Sequence, residues 1–484
     1  QNVNCFNNYN FACNRIKLQN FDNKIEVITH IMDLTKDRIS TLIRQIAIPS
    51  SIGTLFQTLY NIVDVKFAGL ISPDAITAIA KSFPIYFIII GFTTGLSIGV
   101  TALISNALGQ KNEKKASLFL AQSILASLII SIFVTFIGLY GTEPILIFLK
   151  TSPSIILYAK DYMDIIFFGS SLFFLQLTIN SFLVSNGDTK SLRNVLIITF
   201  FLNLFLNPLF IYGALFIPAM GIKGIALATL CAQLFGLVYI IIKVNKTNLR
   251  EYLYPECFVP KINFQREILS QAIPATGSMM FIGLGVFVLL YFVSTYGDYS
   301  AGGYGAAIRF EQLFLLPVLG LNASTLALVG QNFGAENFSR IFDTYKKSIL
   351  YGIIFMATCG IFIFLSSDYI MIFFSNNAEI IYYGSTYLKI AAFAGPCYPI
   401  FFISSALLQG LKKPNYQMLI NLLRMVVLPI CALSIAVVYL EVEFTTMLLV
   451  ILTINYIFAA LVYKFSIYQI SLEQKNYKPN FEAV

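Results

Sequence analysis

The chain has 484 residues, of which 57% are hydrophobic and only 12% charged, a balance that excludes an ordinary water-soluble domain and places it in a membrane. A formal net charge of +8 is what basic loops on one membrane face produce, and it implies no nucleic-acid partner. One histidine (His30) and seven scattered cysteines offer no metal motif, no disulfide framework and no material for histidine-based catalysis, so neither an enzyme nor a resident cofactor is expected.

Residues 1–31 are rich in asparagine, lack methionine and show no apolar core of a signal peptide. They read as an upstream extension or a polar tail. Met32 opens MDLTKDRISTLIRQ, a lead-in to the first helix, so the tail is set at 1–35. Beyond it lie twelve stretches without a charge: 45–63, 82–110, 116–142, 165–187, 194–222, 224–242, 268–297, 312–335, 348–367, 390–411, 425–440 and 444–463. A bilayer crossing needs roughly 20 apolar residues, and the shorter stretches must borrow from their flanks. The runs are too long for barrel strands, so each predicts a transmembrane helix.

The basic residues agree with this count. Of the 32 Lys and Arg, 24 fall in the tails and the even-numbered turns and seven in the odd-numbered turns, with Arg424 inside helix eleven. Positive charge stays in the cytoplasm, which puts both termini there and makes the chain a multi-pass protein of the plasma (inner) membrane.

The chain also repeats itself. Ala47-Ile48-Pro49 returns as Ala272-Ile273-Pro274, 225 residues later, and the same offset lays GLSIGVTALISNALGQKN (95–112) on GLNASTLALVGQNFGAEN (320–337). The expected fold is therefore all-α and polytopic, with twelve transmembrane helices in two six-helix repeats. An even number of helices gives both repeats the same orientation, so they are parallel, related by a pseudo-twofold axis along the membrane normal. The N-lobe is set at 36–242, a cytoplasmic linker at 243–267, the C-lobe at 268–470 and a cytoplasmic tail at 471–484. The linker carries Lys243, Lys246, Arg250, Lys261 and Arg266, which suit a tether on the cytoplasmic face better than a dedicated lipid site. Such a duplication points to a transporter with its cargo in the cleft between halves, acting as a monomer among membrane lipids.

Polar residues inside spans are costly and mark candidate sites. Pro49 and Pro274 open the two halves and are candidate hinges, since a proline within a helix removes a backbone hydrogen bond. Asp64 stands late in helix one, and the duplication places Leu289 opposite it. The alternative is an interfacial aspartate paired with Lys66. Asn203 and Asn207 share one face of helix five, followed by Pro208, which frees a carbonyl. Two amides, a freed carbonyl and a carboxylate make a hard-oxygen site for a small cation. The alternative for the amides is plain helix bridging. Thr229 in helix six is a weaker addition. Arg309 and Glu311 flank the start of helix eight and read as surface residues. Arg424 faces the cleft or snorkels to an interface.

These residues carry a resemblance. The spacing from Pro49 to Asp64, followed by Phe67-Ala68-Gly69, is similar to the multidrug and toxic compound extrusion family. So is GYGAAIRFEQLFLLPVLGLNASTLALVGQNFGAEN (303–337), and SNGDTKSLRN (185–194) resembles that family's turn between helices four and five. The resemblance covers essentially all of 36–470. It implies two six-helix lobes that alternate access and export drugs or organic cations in exchange for sodium ions or protons. It also implies that Asp64 is the coupling acid, that Asn203, Asn207 and Thr229 complete the N-lobe cation site, and that Pro49 is the bending proline. Many members carry a second acid where this chain has Asn207, and helices seven and ten here lack the acids that some members use in the C-lobe. A lipid-linked oligosaccharide flippase of the same superfamily shares the architecture and calls for a broad cationic cleft. The aromatic content, 45 Phe and 27 Tyr, suits an amphipathic small-molecule cargo.

Overall fold

A computed structural model describes residues 32–149, 151–213, 217–247 and 252–477. The N-terminal segment 1–31, with His30, lies outside the described residues, as does the end of the tail from 478 on. The spans, in chain order, are α1 (Ile39–Ile71), α2 (Pro73–Gly109), α3 (Glu113–Phe148), α4 in two pieces (Pro153–Phe168 and Ser170–Ser185), α5 (Lys190–Tyr212), α6 (Ile222–Val244), α7 (Ile262–Ser294), α8 (Asp298–Gly334), α9 (Phe338–Phe374), α10 in two pieces (Ala378–Ala394 and Cys397–Gly410), α11 (Pro414–Tyr439) and α12 (Phe444–Tyr477). Nine of these are, among the described residues, long and apolar enough to cross a membrane alone, and two bent pairs raise the number to eleven. The twelfth, α1, has 33 residues, about 50 Å at the α-helical rise, but polar groups such as Ser51, Gln57, Asn61 and Asp64 lower its apolarity. Aromatic rings such as Phe148, Phe168 and Phe373 lie exposed on the outside, as a lipid-facing surface requires.

The helices run past the stretches expected from charge alone, α7, α8 and α12 among them. Helix α7 begins at Ile262 and α12 continues to Tyr477, because charged side chains are tolerated where a helix leaves the hydrocarbon. Helix α8 begins at Asp298, so Glu311 lies well inside it and not at its start.

The repeat extends to the turns. Helices α2 and α8 have 37 residues each, and two residues past the end of each stands a residue at positive φ: Lys111 at 56° and Glu336 at 58°, again 225 apart. The following asparagines, Asn112 and Asn337, cap the next helices by accepting from the backbone N–H of Lys115 and Arg340. The bends within α4 and α10 also correspond, at 45° and 54°.

The lobes meet along α1, α2, α7 and α8, at the end of the bundle where α1 begins and α2 ends. Gly95 packs on the backbone of Thr276, and its repeat partner Gly320 packs on Ala47 and Ser51. Thr276 and Ser51 are themselves 225 apart, so the seam is its own image. Two bonds repeat this symmetry. Asn106 Nδ2 donates to the Gly410 carbonyl at 3.0 Å, and Gln331 Nε2 donates to the Ser185 carbonyl at 2.7 Å.

The first turns of α1 and α7 are exchanged between lobes. Ile39, Leu42, Ile43 and Ile46 belong to a core with Leu328, Phe333 and Ile341 of the second repeat. Ile268 and Ala272 belong to the core of the first repeat, where Phe264 stacks edge-on with Phe119 at 5.0 Å. Past Pro49 and Pro274 each helix rejoins its own repeat: Ala68 enters the first core, and Phe292 and Val293 a core of the second. Gln122 of α3 fastens the linker to the N-lobe. Its Nε2 donates to the carbonyls of Cys257 and Val259, and its Oε1 accepts from the Lys261 N–H and Gln265 Nε2.

Candidate functional site

Three helices of the N-lobe bring one carboxylate and three neutral polar groups together. Asp64 comes from α1, Asn203 and Asn207 from successive turns of α5, and Thr229 from α6; all four are buried. Asn207 Nδ2 donates to Asp64 Oδ1 at 2.9 Å, and Thr229 Oγ1 donates to Asp64 Oδ2 at 3.2 Å. Asn203 reaches the acid indirectly, its Oδ1 accepting from Asn207 Nδ2 at 3.0 Å. Among the described residues Asp64 has no basic partner. Lys66 is exposed and forms no ion pair with it, so the interfacial Asp–Lys pair is not what the structure holds.

A buried carboxylate surrounded only by neutral donors carries a charge that its neighbours do not cancel. The asparagines leave Asn207 Oδ1 and Asn203 Nδ2 buried without hydrogen-bond partners among the described residues. An orphaned amide oxygen beside a carboxylate is an additional hard ligand, and an amide can turn to present it. The group can therefore receive a small monovalent cation, or a proton on Asp64 alone. Tyr60 and Tyr162 are also buried here, and the Tyr60 hydroxyl lacks a partner as well. Pro49 and Pro274 are buried within unbroken α1 and α7, at the points where these helices change lobe.

The C-lobe holds a second carboxylate that sequence reasoning placed on the surface. Arg309 is exposed, but Glu311 is 4% exposed, with Oε2 accepting from the Tyr387 hydroxyl at 2.7 Å and Oε1 from Tyr398 at 2.8 Å. The reading failed because the helix was taken to start after its last charge. A signal was available: the offset carries Pro73, the start of α2, onto Asp298. It also carries Tyr86 onto Glu311 and Tyr162 onto Tyr387.

Glu311 lines a cavity of about 220 Å³ formed by α7, α8, α10, α11 and α12. Arg424 lines it too, and also borders a smaller cavity of about 50 Å³ that reaches Ile98 of α2. Its guanidinium lies 3.9 Å from the Phe401 ring centroid and 5.3 Å from that of Tyr398. It thus faces the interior and does not snorkel. A π-helical turn, Leu423–Val427, carries it, a departure from α geometry that recurs at functional sites.

A duplicated bundle of twelve spans, with its buried acids turned inward, defines a polytopic membrane transporter. The MatE family model matches residues 49–209 and again 274–433, one match per repeat, and the chain belongs to this family. Its members are transporters and not enzymes, and the chain is a multi-pass integral membrane protein. It is 27% identical over 349 residues to a probable multidrug resistance protein NorM of Thermotoga maritima, spanning 72% of this chain and 74% of that one. It is 25% identical to the multidrug export protein MepA of Staphylococcus aureus (71% and 75% covered) and 25% identical to an FAD transporter of Shewanella oneidensis (82% and 88%). Among solved structures, an outward-facing MATE transporter superposes with a TM-score of 0.85 at 22% identity, over 92% of this chain and 99% of the other. A transporter of the same superfamily from Pyrococcus furiosus gives 0.85 at 21%, with the same coverage.

Proposed function

We propose that this protein exports amphipathic small molecules by alternating access, driven by sodium ions or protons that load at Asp64. The observation that carries this reading is the buried Asp64 carboxylate, bonded by Asn207 and Thr229 and, among the described residues, matched by no basic one. One positive charge, metal or proton, neutralises the pocket, and a second would be left unpaired in a low-dielectric site. Either ion gains about 2.3 kcal/mol per 100 mV of membrane potential, so the potential does not choose between them. Relatives named for multidrug export support the cargo class. In this reading the protein works as a monomer in the plasma membrane, both termini in the cytoplasm, with no cofactor beyond the coupling cation. The seam of α1, α2, α7 and α8 then closes the cytoplasmic side.

A flippase for lipid-linked oligosaccharides is the weaker reading, because it calls for a broadly cationic cleft, whereas the C-lobe cavity sets one arginine against one glutamate. The test is export of a labelled dye from proteoliposomes under separately imposed sodium and pH gradients, with lipid flipping assayed in parallel. Dye export under one gradient and its loss in Asp64→Asn support the proposal. Flipping without dye export, or normal ion-driven export by Asp64→Asn, overturns it.

A further inference from the structure

The C-lobe cavity carries chemistry that ion loading at Asp64 does not use. Its wall is largely apolar and aromatic, and only two of its lining residues, Glu311 and Arg424, are charged. They share the cavity without forming an ion pair. Glu311 is held by two tyrosine hydroxyls, while Arg424 stacks on Phe401 and donates through Nε to Asn455 Oδ1 at 3.4 Å. Among the described residues the terminal nitrogens of Arg424 donate to no protein acceptor.

A guanidinium with its terminal N–H groups free matches a carboxylate or a similar oxyanion. A carboxylate framed by aromatic rings matches an ammonium group. A ligand with only a positive charge would meet Arg424 uncompensated, and one with only a negative charge would meet Glu311. A molecule carrying both leaves neither wall group unmatched. We propose that this cavity binds small zwitterionic amphiphiles, with the ammonium at Glu311, the acidic group at Arg424 and the apolar body against Leu289, Tyr304 and Ile451. The proposal rests on the transport reading above and names its cargo class.

The probe is Nε-dansyl-lysine, which joins a fluorescent apolar body to a free ammonium and carboxylate. Its methyl ester keeps only the positive charge, and its Nα-acetyl derivative only the negative one. All three are titrated by fluorescence onto the full-length protein in lipid nanodiscs. The parent should bind about tenfold more tightly than either derivative, the worth of one charge-assisted hydrogen bond. Arg424→Gln should remove the preference over the ester, and Glu311→Gln the preference over the acetyl form. Equal binding of parent and ester by the unaltered protein overturns the proposal even if a variant fails to fold, and so does no binding of the parent. Charge-selective binding without any export of dye counts against the transport reading alone, whereas ion-driven export without charge selectivity counts against this site alone.

Discussion

Each lobe buries one acid, but hangs it from a helix that is not the repeat partner of the other's. In the N-lobe the acid is Asp64 on α1, and the repeat position on α7 is Leu289, an apolar wall of the C-lobe cavity. In the C-lobe the acid is Glu311 on α8, and the repeat position on α2 is Tyr86. Tyr162 and its repeat partner Tyr387 are buried in both. The partners of the acids differ in kind. Asp64 receives an amide and a hydroxyl and pairs with no guanidinium among the described residues, while Glu311 receives two phenols and shares its cavity with Arg424. One lobe thus holds an uncompensated charge and the other two opposite charges in one cavity. An uncompensated charge suits an exchangeable ion, and a balanced pair suits a ligand of matching polarity.

The largest effect should come from Asp64→Asn, which replaces with a neutral amide the carboxylate proposed to load the cation. Ion-driven export should fall to the level of empty vesicles, while Glu311→Gln should retain ion-driven export and change which molecules are carried. If both substitutions abolish export equally, the division of labour between lobes is wrong. Next in size is the seam. Gly95→Val and Gly320→Val each force a side chain into the backbone of the other lobe, an overpacking of typically 1–3 kcal/mol, or about ten- to a hundredfold in a two-state population. Cysteine crosslinking across the opposite end should report fewer molecules closed at the seam, to a similar extent in both variants; a strong effect of one alone would show that the symmetry of the seam is only geometric.

A smaller effect is expected within the N-lobe site. Asn207→Ala removes the group bonded directly to Asp64 and should raise the sodium concentration for half-maximal export about tenfold, in line with a hydrogen bond to a charge. If protons drive export, the pH profile should move instead. Asn203→Ala removes the amide that is bonded to Asn207 and should do less; equal shifts would place both amides on the ion. The least effect belongs to the seam bonds. Asn106→Ala and Gln331→Ala each remove one bond to a carbonyl of the other lobe, about 1 kcal/mol; Asn106→Ala also loses its bond to the Ala102 carbonyl of its own helix, so thermal unfolding should show it as the equal or larger loss.

Much of this arrangement is legible in the sequence. Charge-free stretches mark the spans, the basic residues their alternation, and one offset the duplication. The gathering of Asp64, Asn203 and Asn207 is legible because its members obey local rules: four residues separate Asn203 from Asn207, and a lone acid sits deep in an apolar run. Glu311 escaped because a charge was taken as the end of a span, whereas a charge held by two tyrosines is tolerated deep inside one. The exchange of helix starts is not legible at all. An apolar face at Ile39–Ile46 says that something covers it, and the pattern is the same whether that cover comes from the same repeat or the other.

That exchange also ties the finished molecule to the order of its synthesis. Phe264, Ile268 and Ala272, which complete the first core, leave the ribosome only after all of α1 to α6 and most of the linker. Ile39 to Ile46, made first, wait for α8 and α9 before they are covered. Neither half can finish alone, so a chain cut within the linker should yield two fragments that mature only when made together, each supplying the opening turns of a span that the other lacks.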